Sequence, residues 1–136
     1  MADRGYFEHG ADVGIFGRGR DVESAFCRAA ESLFALTTDI ATVKPRVEVA
    51  FDFEEPDVEM AFVRWLNLLL SHAADQGLAL GQFDLARDGE RWTGRAWGEP
   101  WHEALDRGTD VKGATLTMLS VTQERGTWDA RCVVDV

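Results

Sequence analysis

The chain has few cysteines, and it has little positive charge. Its two cysteines, Cys27 and Cys132, lie far apart, each at an apolar position of its segment. They are expected to be buried thiols, not a disulfide or a zinc pair. There is no Cys-x-x-Cys, no metalloprotease His pair and no serine in a nucleophile elbow. Gly17-x-Gly19 lacks the further glycine and lysine of a phosphate-cradling loop. Apolar runs such as Leu68-Leu69-Leu70 are far too short to span a bilayer, and residues 1–5 include no apolar leader core. A cytoplasmic protein without membrane contact is expected. Lys and Arg number 14 against 24 Asp and Glu, for a formal net charge of −10. Such a surface repels phosphate backbones, so direct nucleic-acid binding is not expected. It suits metal ions or basic protein surfaces.

What is present is core-forming material. Apolar residues make up 46% of the 136 residues, including eight Phe and five Trp. A chain of this length buries roughly 65–70% of its unfolded surface, enough for one domain, 1–136, without cross-links. Residues 5–10 and 13–19 read as short strands separated by a turn at Asp12. Asp21 is a good N-cap. After it, Val22, Ala25, Phe26, Ala29, Ala30, Leu33 and Phe34 mark one helix face, ending near 37–39. Val47, Val49, Phe51 and Phe53 alternate as a half-buried strand. Pro56-Asp57 opens a second helix, apolar on most sides and so expected to lie centrally, with Gly77 as its stop. Strands follow at 78–88, 91–98, 112–124 and 127–136, with a loop at 99–108 and turns at Asp88-Gly89 and Arg125-Gly126. The order predicts an α+β fold, two helices packed on a largely antiparallel sheet system. No repeat or linker interrupts it.

The chemistry-bearing residues lie at the two ends. His9-Gly10-Ala11-Asp12-Val13-Gly14 sits near the start, and Asp135 is the second-to-last residue. If the terminal strands pair, Asp12, Asp135 and the Val136 α-carboxylate converge. Oxygen donors that close repel unless a cation or protons compensate them, and they favour calcium, magnesium or manganese over zinc. Taken singly, Asp12 reads as a turn residue bonding its own backbone and Asp135 as a solvated strand-end charge. His9 is either a nitrogen ligand or a hydrogen-bonded structural histidine. Lys112 either reaches over a cleft towards acidic or phosphate groups, or snorkels and pairs with Asp110. Trp97-Gly98-Glu99-Pro100-Trp101-His102 is either an exposed protein-contact patch or a loop folded back on the core. His102 and Glu103 lack a neighbouring nucleophile.

The chain resembles the archease family in five motifs, in order and over nearly its whole length. They are His9-Gly10-Ala11-Asp12-Val13-Gly14, Trp65-Leu66-Asn67-x-Leu69-Leu70, Ala96-Trp97-Gly98-Glu99, Gly108-Thr109-Asp110-Val111-Lys112-Gly113-Ala114-Thr115 and Val133-Val134-Asp135-Val136. Gly10 stands where the family usually has Thr, and Gly113 where it has Ala. The resemblance implies an α+β fold and a role as activator of an RtcB-type RNA ligase, not as an enzyme. That ligase uses GTP to join a 3′-phosphate RNA end to a 5′-hydroxyl end in tRNA splicing and RNA repair. The family promotes guanylylation of the ligase histidine and multiple turnover. The resemblance further implies a divalent metal held by Asp12, Asp135 and Val136, with Lys112 contributing to activation. Two other functions fit the residues less well. One is a general chaperone or interaction module with no metal role. The other is a small metal-dependent hydrolase using His9 or His102 as base.

Overall fold

The computed structural model describes residues 2–136. In chain order it contains β1 (Arg4–His9), β2 (Asp12–Gly19), α1 (Val22–Thr37), a 3-10 turn (Ile40–Thr42), β3 (Val47–Glu54) and α2 (Val58–Gln76). Then come β4 (Leu78–Asp88), β5 (Arg91–Pro100), β6 (Gly113–Ala114), β7 (Ser120–Glu124) and β8 (Thr127–Asp135). The strands form two antiparallel sheets. One runs β1-β2-β8-β6, with β7 also paired to β8; the other runs β3-β5-β4. Both helices contact strands of both sheets. The architecture is the expected α+β fold.

Local chemistry sets the helix limits. The Asp21 side chain accepts from the Ser24 N–H at 2.7 Å and opens α1. At the other end, the Leu36 and Thr37 carbonyls lack helical partners. The Thr109 and Gly108 N–H groups fill them, each at 2.7 Å. A Cβ on Gly108 would overlap the Leu36 carbonyl, so this cap demands glycine. Asp57 caps α2 through the Met60 N–H at 3.1 Å, and Gly77 ends it in the left-handed conformation at φ 65°.

One core joins both helices to both sheets. Trp65 of α2 lies at its centre, fully buried, and its indole N–H donates to the Phe26 carbonyl of α1 at 3.0 Å. Gly94 of β5 leaves room for the Trp65 ring. Cys27 and Cys132 are free and buried, and burial pushes each thiol up to about 12. No helix among the described residues is long and apolar enough to cross a membrane.

The second helix lies centrally, as expected, with an exposed stripe at Glu59, Arg64, Asn67, Ser71 and Asp75. Two local expectations are corrected. The fifth strand runs on through Glu99 and Pro100, because the Leu78↔Pro100 and Ala79↔Glu99 pairs continue its ladder. The strand expected over 112–124 is two strands, β6 and β7, separated by an irregular segment at 115–119 that keeps only isolated backbone bonds to Val133.

Candidate functional site: an acidic row across the terminal strands

Strand register builds the site. In β2 and β8, Val13 faces Val134, so one further step sets Asp12 opposite Asp135. Pairing of β1 with β2 sets His9 opposite Asp12, and pairing of β6 with β8 sets Gly113 opposite Asp135. His9, Asp12, Asp135 and Gly113 therefore form one row over four neighbouring strands, about 15 Å wide at the usual strand spacing. Lys112 is next in the chain, and its backbone N–H donates to the Asp135 carbonyl at 2.8 Å. Val136 follows Asp135 directly. His9, Asp12, Lys112, Asp135 and Val136 thus lie at one end of this sheet.

The turn that delivers Asp12 differs from expectation. Gly10 and Ala11 make the two-residue connection, with Gly10 at φ 59°, and Asp12 is the first residue of β2. Glycine suits that first turn position because a side chain is strained at positive φ. Asp12 bonds no backbone group of its own turn among the described residues, so the simple turn-residue role does not describe it.

Charge compensation is missing here. Asp12 and Val136 are half-buried, while His9, Lys112 and Asp135 are exposed. Among the described residues, neither aspartate carboxylate nor the Lys112 ammonium takes part in a hydrogen bond or ion pair. The pair with Asp110, the alternative reading of Lys112, is not formed among the described residues. The same sheet deals differently with another of its acids. Asp129 is penalised by burial, yet the hydrogen bonds from Arg131 and Arg18 outweigh this and hold its carboxyl below the usual range. No three His, Cys, Asp or Glu side chains among the described residues gather closely enough to hold a metal on side chains alone. Any cation at the row needs oxygen donors beyond Asp12 and Asp135.

Asn67 is a site residue that sequence reasoning did not weigh. Its side-chain oxygen accepts from the Ala114 N–H at 2.8 Å, and its NH2 donates to the Ala114 carbonyl at 3.3 Å. The amide of α2 thus stands in for a neighbouring strand and fixes two-residue β6, hence the Lys112 backbone. The only signal was its place in Trp65-Leu66-Asn67. Asn67→Ala is expected to remove both bonds and free β6, while its own exposure limits the stability loss to about 1–2 kcal/mol. Amide hydrogen exchange should show Ala114 losing protection while Ile15 keeps its own. Unchanged protection at Ala114 would refute this role.

The remaining motifs are structural. Glu99 is buried, and its carboxyl is held below the usual range first by the Lys44 N–H at 2.8 Å and then, against the cost of burial, by His102 at 3.0 Å. The His102 Nδ1 accepts from the Ala104 N–H, which leaves Nε2–H to face Glu99. Trp97 belongs to β5, and Trp101 packs on the cluster of Val43, Ala79 and Leu105. This is the folded-back arrangement, not a contact patch. A cavity of about 570 Å³ lies where the C-terminal ends of both helices meet the 101–111 loop, and none of the row residues lines it. The acidic row is open surface.

These features define a two-sheet α+β protein whose terminal strands bring Asp12 and Asp135 into one row, with Lys112 next to it in the chain and none of these three charged groups paired among the described residues. The sequence matches the Archease protein family (MTH1598/TM1083) over residues 5–136. The chain is 35% identical to the protein archease of Sulfolobus acidocaldarius, covering 96% of each chain. It is 32% identical to that of Aeropyrum pernix, covering 95% of this chain and 94% of the relative. Its structure is similar to the solution structure of Methanobacterium thermoautotrophicum protein 1598, with a TM-score of 0.83, 27% identity and full coverage of both. It shares its fold with a Thermotoga maritima archease described as a possible chaperone, at a TM-score of 0.67 and 18% identity. The chain belongs to the archease family.

Proposed function

We propose that this protein activates an RtcB-type, GTP-dependent RNA ligase, and that the acidic row is the part that works on the ligase. One observation carries the reading. The register sets Asp12 opposite Asp135, with Val136 and Lys112 next to them in the chain, and among the described residues neither aspartate nor Lys112 has a charged partner. Family membership supports it, since these are the residues for which the resemblance implies a role.

The donor chemistry fits a hard divalent cation: carboxylate oxygens, exposed and unpaired, with no cysteine nearby. Asp12 and Asp135 would hold calcium, magnesium or manganese, with the Val136 carboxyl group as third donor. Such an ion supplies charge neutralisation to phosphate oxygens. Two side chains leave most of its positions open, so water and ligase groups complete the set. His9 faces Asp12 across the β1–β2 pair and so adjoins the same row. Lys112 presents a free ammonium to phosphate oxygens of the nucleotide as negative charge builds during guanylylation. The net charge of −10 draws the protein to a basic ligase mouth and away from RNA itself.

The test is guanylylation of the ligase histidine with and without this protein in substoichiometric amount. Acceleration with turnover supports the reading, and an unchanged rate refutes it. A general chaperone role, the description given to the Thermotoga relative, requires no acidic row.

A further inference from the structure

The segment between β6 and β7 carries two large apolar side chains in water. Leu116 is 60% exposed and Met118 is 59% exposed. Their neighbours are fixed to the sheet. The Thr115 N–H donates to the Val133 carbonyl at 3.0 Å, and the Val133 N–H donates to the Thr117 carbonyl at 3.0 Å. Leu119 packs on the core. Alternate residues are thus tied down, and the two between them stand outward. Met118 does so at φ 55°, a left-handed conformation that costs a non-glycine residue energy. A polar side chain at either position would lose nothing in the folded protein by itself. Two large apolar groups exposed on one short segment, with backbone bonds to the sheet on either side, suit a contact surface.

The segment's place says what it contacts. Its anchor on β8, Val133, is two residues from Asp135, about 7 Å along the strand. Lys112 is four residues before Leu116. Apolar pair and acidic row therefore lie near one another at the β8 end, with no cation of this chain paired to the row's acids among the described residues.

We infer that Leu116 and Met118 are the apolar anchor with which this protein seats its acidic row on a protein partner, one whose basic or metal-bearing mouth adjoins an apolar pocket. The inference rests on the function proposed above and takes that partner to be the ligase. Charge complementarity selects a basic surface, and the two side chains fix its register. Anchors of this kind carry most of the binding energy of an interface, whereas rim charges steer the encounter.

The test is the double variant Leu116→Ser with Met118→Ser, compared with Asp12→Asn and the unaltered chain. Thermal unfolding should stay within about 3 °C, because both side chains are already in water. The Kd for the purified ligase should weaken by about tenfold or more. Guanylylation should recover at high concentrations of the double variant, because the row itself is intact; Asp12→Asn should not recover. A double variant that binds within twofold of the unaltered chain overturns the anchor and leaves the proposed function standing. An unaltered chain that neither binds nor stimulates the ligase overturns the proposed function and the anchor's partner with it. Sedimentation showing that the unaltered chain pairs with itself, and the double variant does not, assigns the anchor to a second copy and overturns the inference.

Discussion

Asp12→Asn should lower ligase stimulation to the unassisted rate while the protein stays folded. The substitution keeps the size of the side chain and its capacity to hydrogen-bond, and it removes one negative charge. Nothing in the fold depends on that charge: among the described residues Asp12 has no hydrogen bond or ion pair to lose, and β2 is set by its ladders to β1 and β8. Loss of a carboxylate that directly holds a cation should cost more than the 10–100-fold typical of groups one shell further out, so about 100-fold or more in divalent-ion affinity is expected. Asp135→Asn, across the same row, should behave alike, and the double variant should lose little beyond either single one, since both remove the same site. Calorimetric titration with calcium and manganese, beside the guanylylation assay, reads both effects. Full stimulation by a folded Asp12→Asn protein would show that the row is incidental.

The second large effect is on the fold. Trp65→Ala should destabilise the protein by about 3–5 kcal/mol, the usual cost of removing a large aromatic ring from a packed core. Trp65 is fully buried, contacts Phe51 at 5.8 Å between ring centroids and closes the space that Gly94 leaves open. Its loss also strands the Phe26 carbonyl without a partner, which adds to the cavity cost. Because one ring ties α2 to α1, the damage should be global rather than confined to a loop. Trp65→Phe refills much of the volume and should lose about half as much, the share due to the indole N–H and residual packing. Urea unfolding of the three proteins at equilibrium gives the comparison. A Trp65→Ala protein within about 1 kcal/mol of the unaltered chain would contradict this account of the core.

Much of this was legible in the sequence, and the exceptions share a cause. The 3.6-residue spacing of Val22 to Phe34 and the caps Asp21, Asp57 and Gly77 fixed both helices, because these signals are local. Leu78–Asp88 was also readable, since the strand ends at the Asp88-Gly89 turn. The split of 112–124 was hidden by its own pattern. Leu116 and Met118 alternate with threonines as a strand's apolar face would, but period two says only that one face is apolar, not that a core waits there. Here that face meets water. The partnering of β6 by Asn67 and the capping of α1 by Gly108 and Thr109 were equally out of reach, because each joins residues distant in sequence through backbone groups that every residue carries. The acidic row lay between these cases. Two end motifs suggested convergence, yet only the β2–β8 register places Asp12 opposite Asp135 rather than one residue aside, which would have turned one carboxylate to the other face.

The central claim is activation through this row. Its most direct test is a time course of ligase guanylylation with labelled GTP, at limiting manganese and with this protein well below the ligase concentration. The account predicts faster labelling, more ligase molecules labelled than activator molecules present, and loss of both with Asp12→Asn. Labelling that proceeds at the same rate with and without the protein, using the ligase of the same organism, would contradict it.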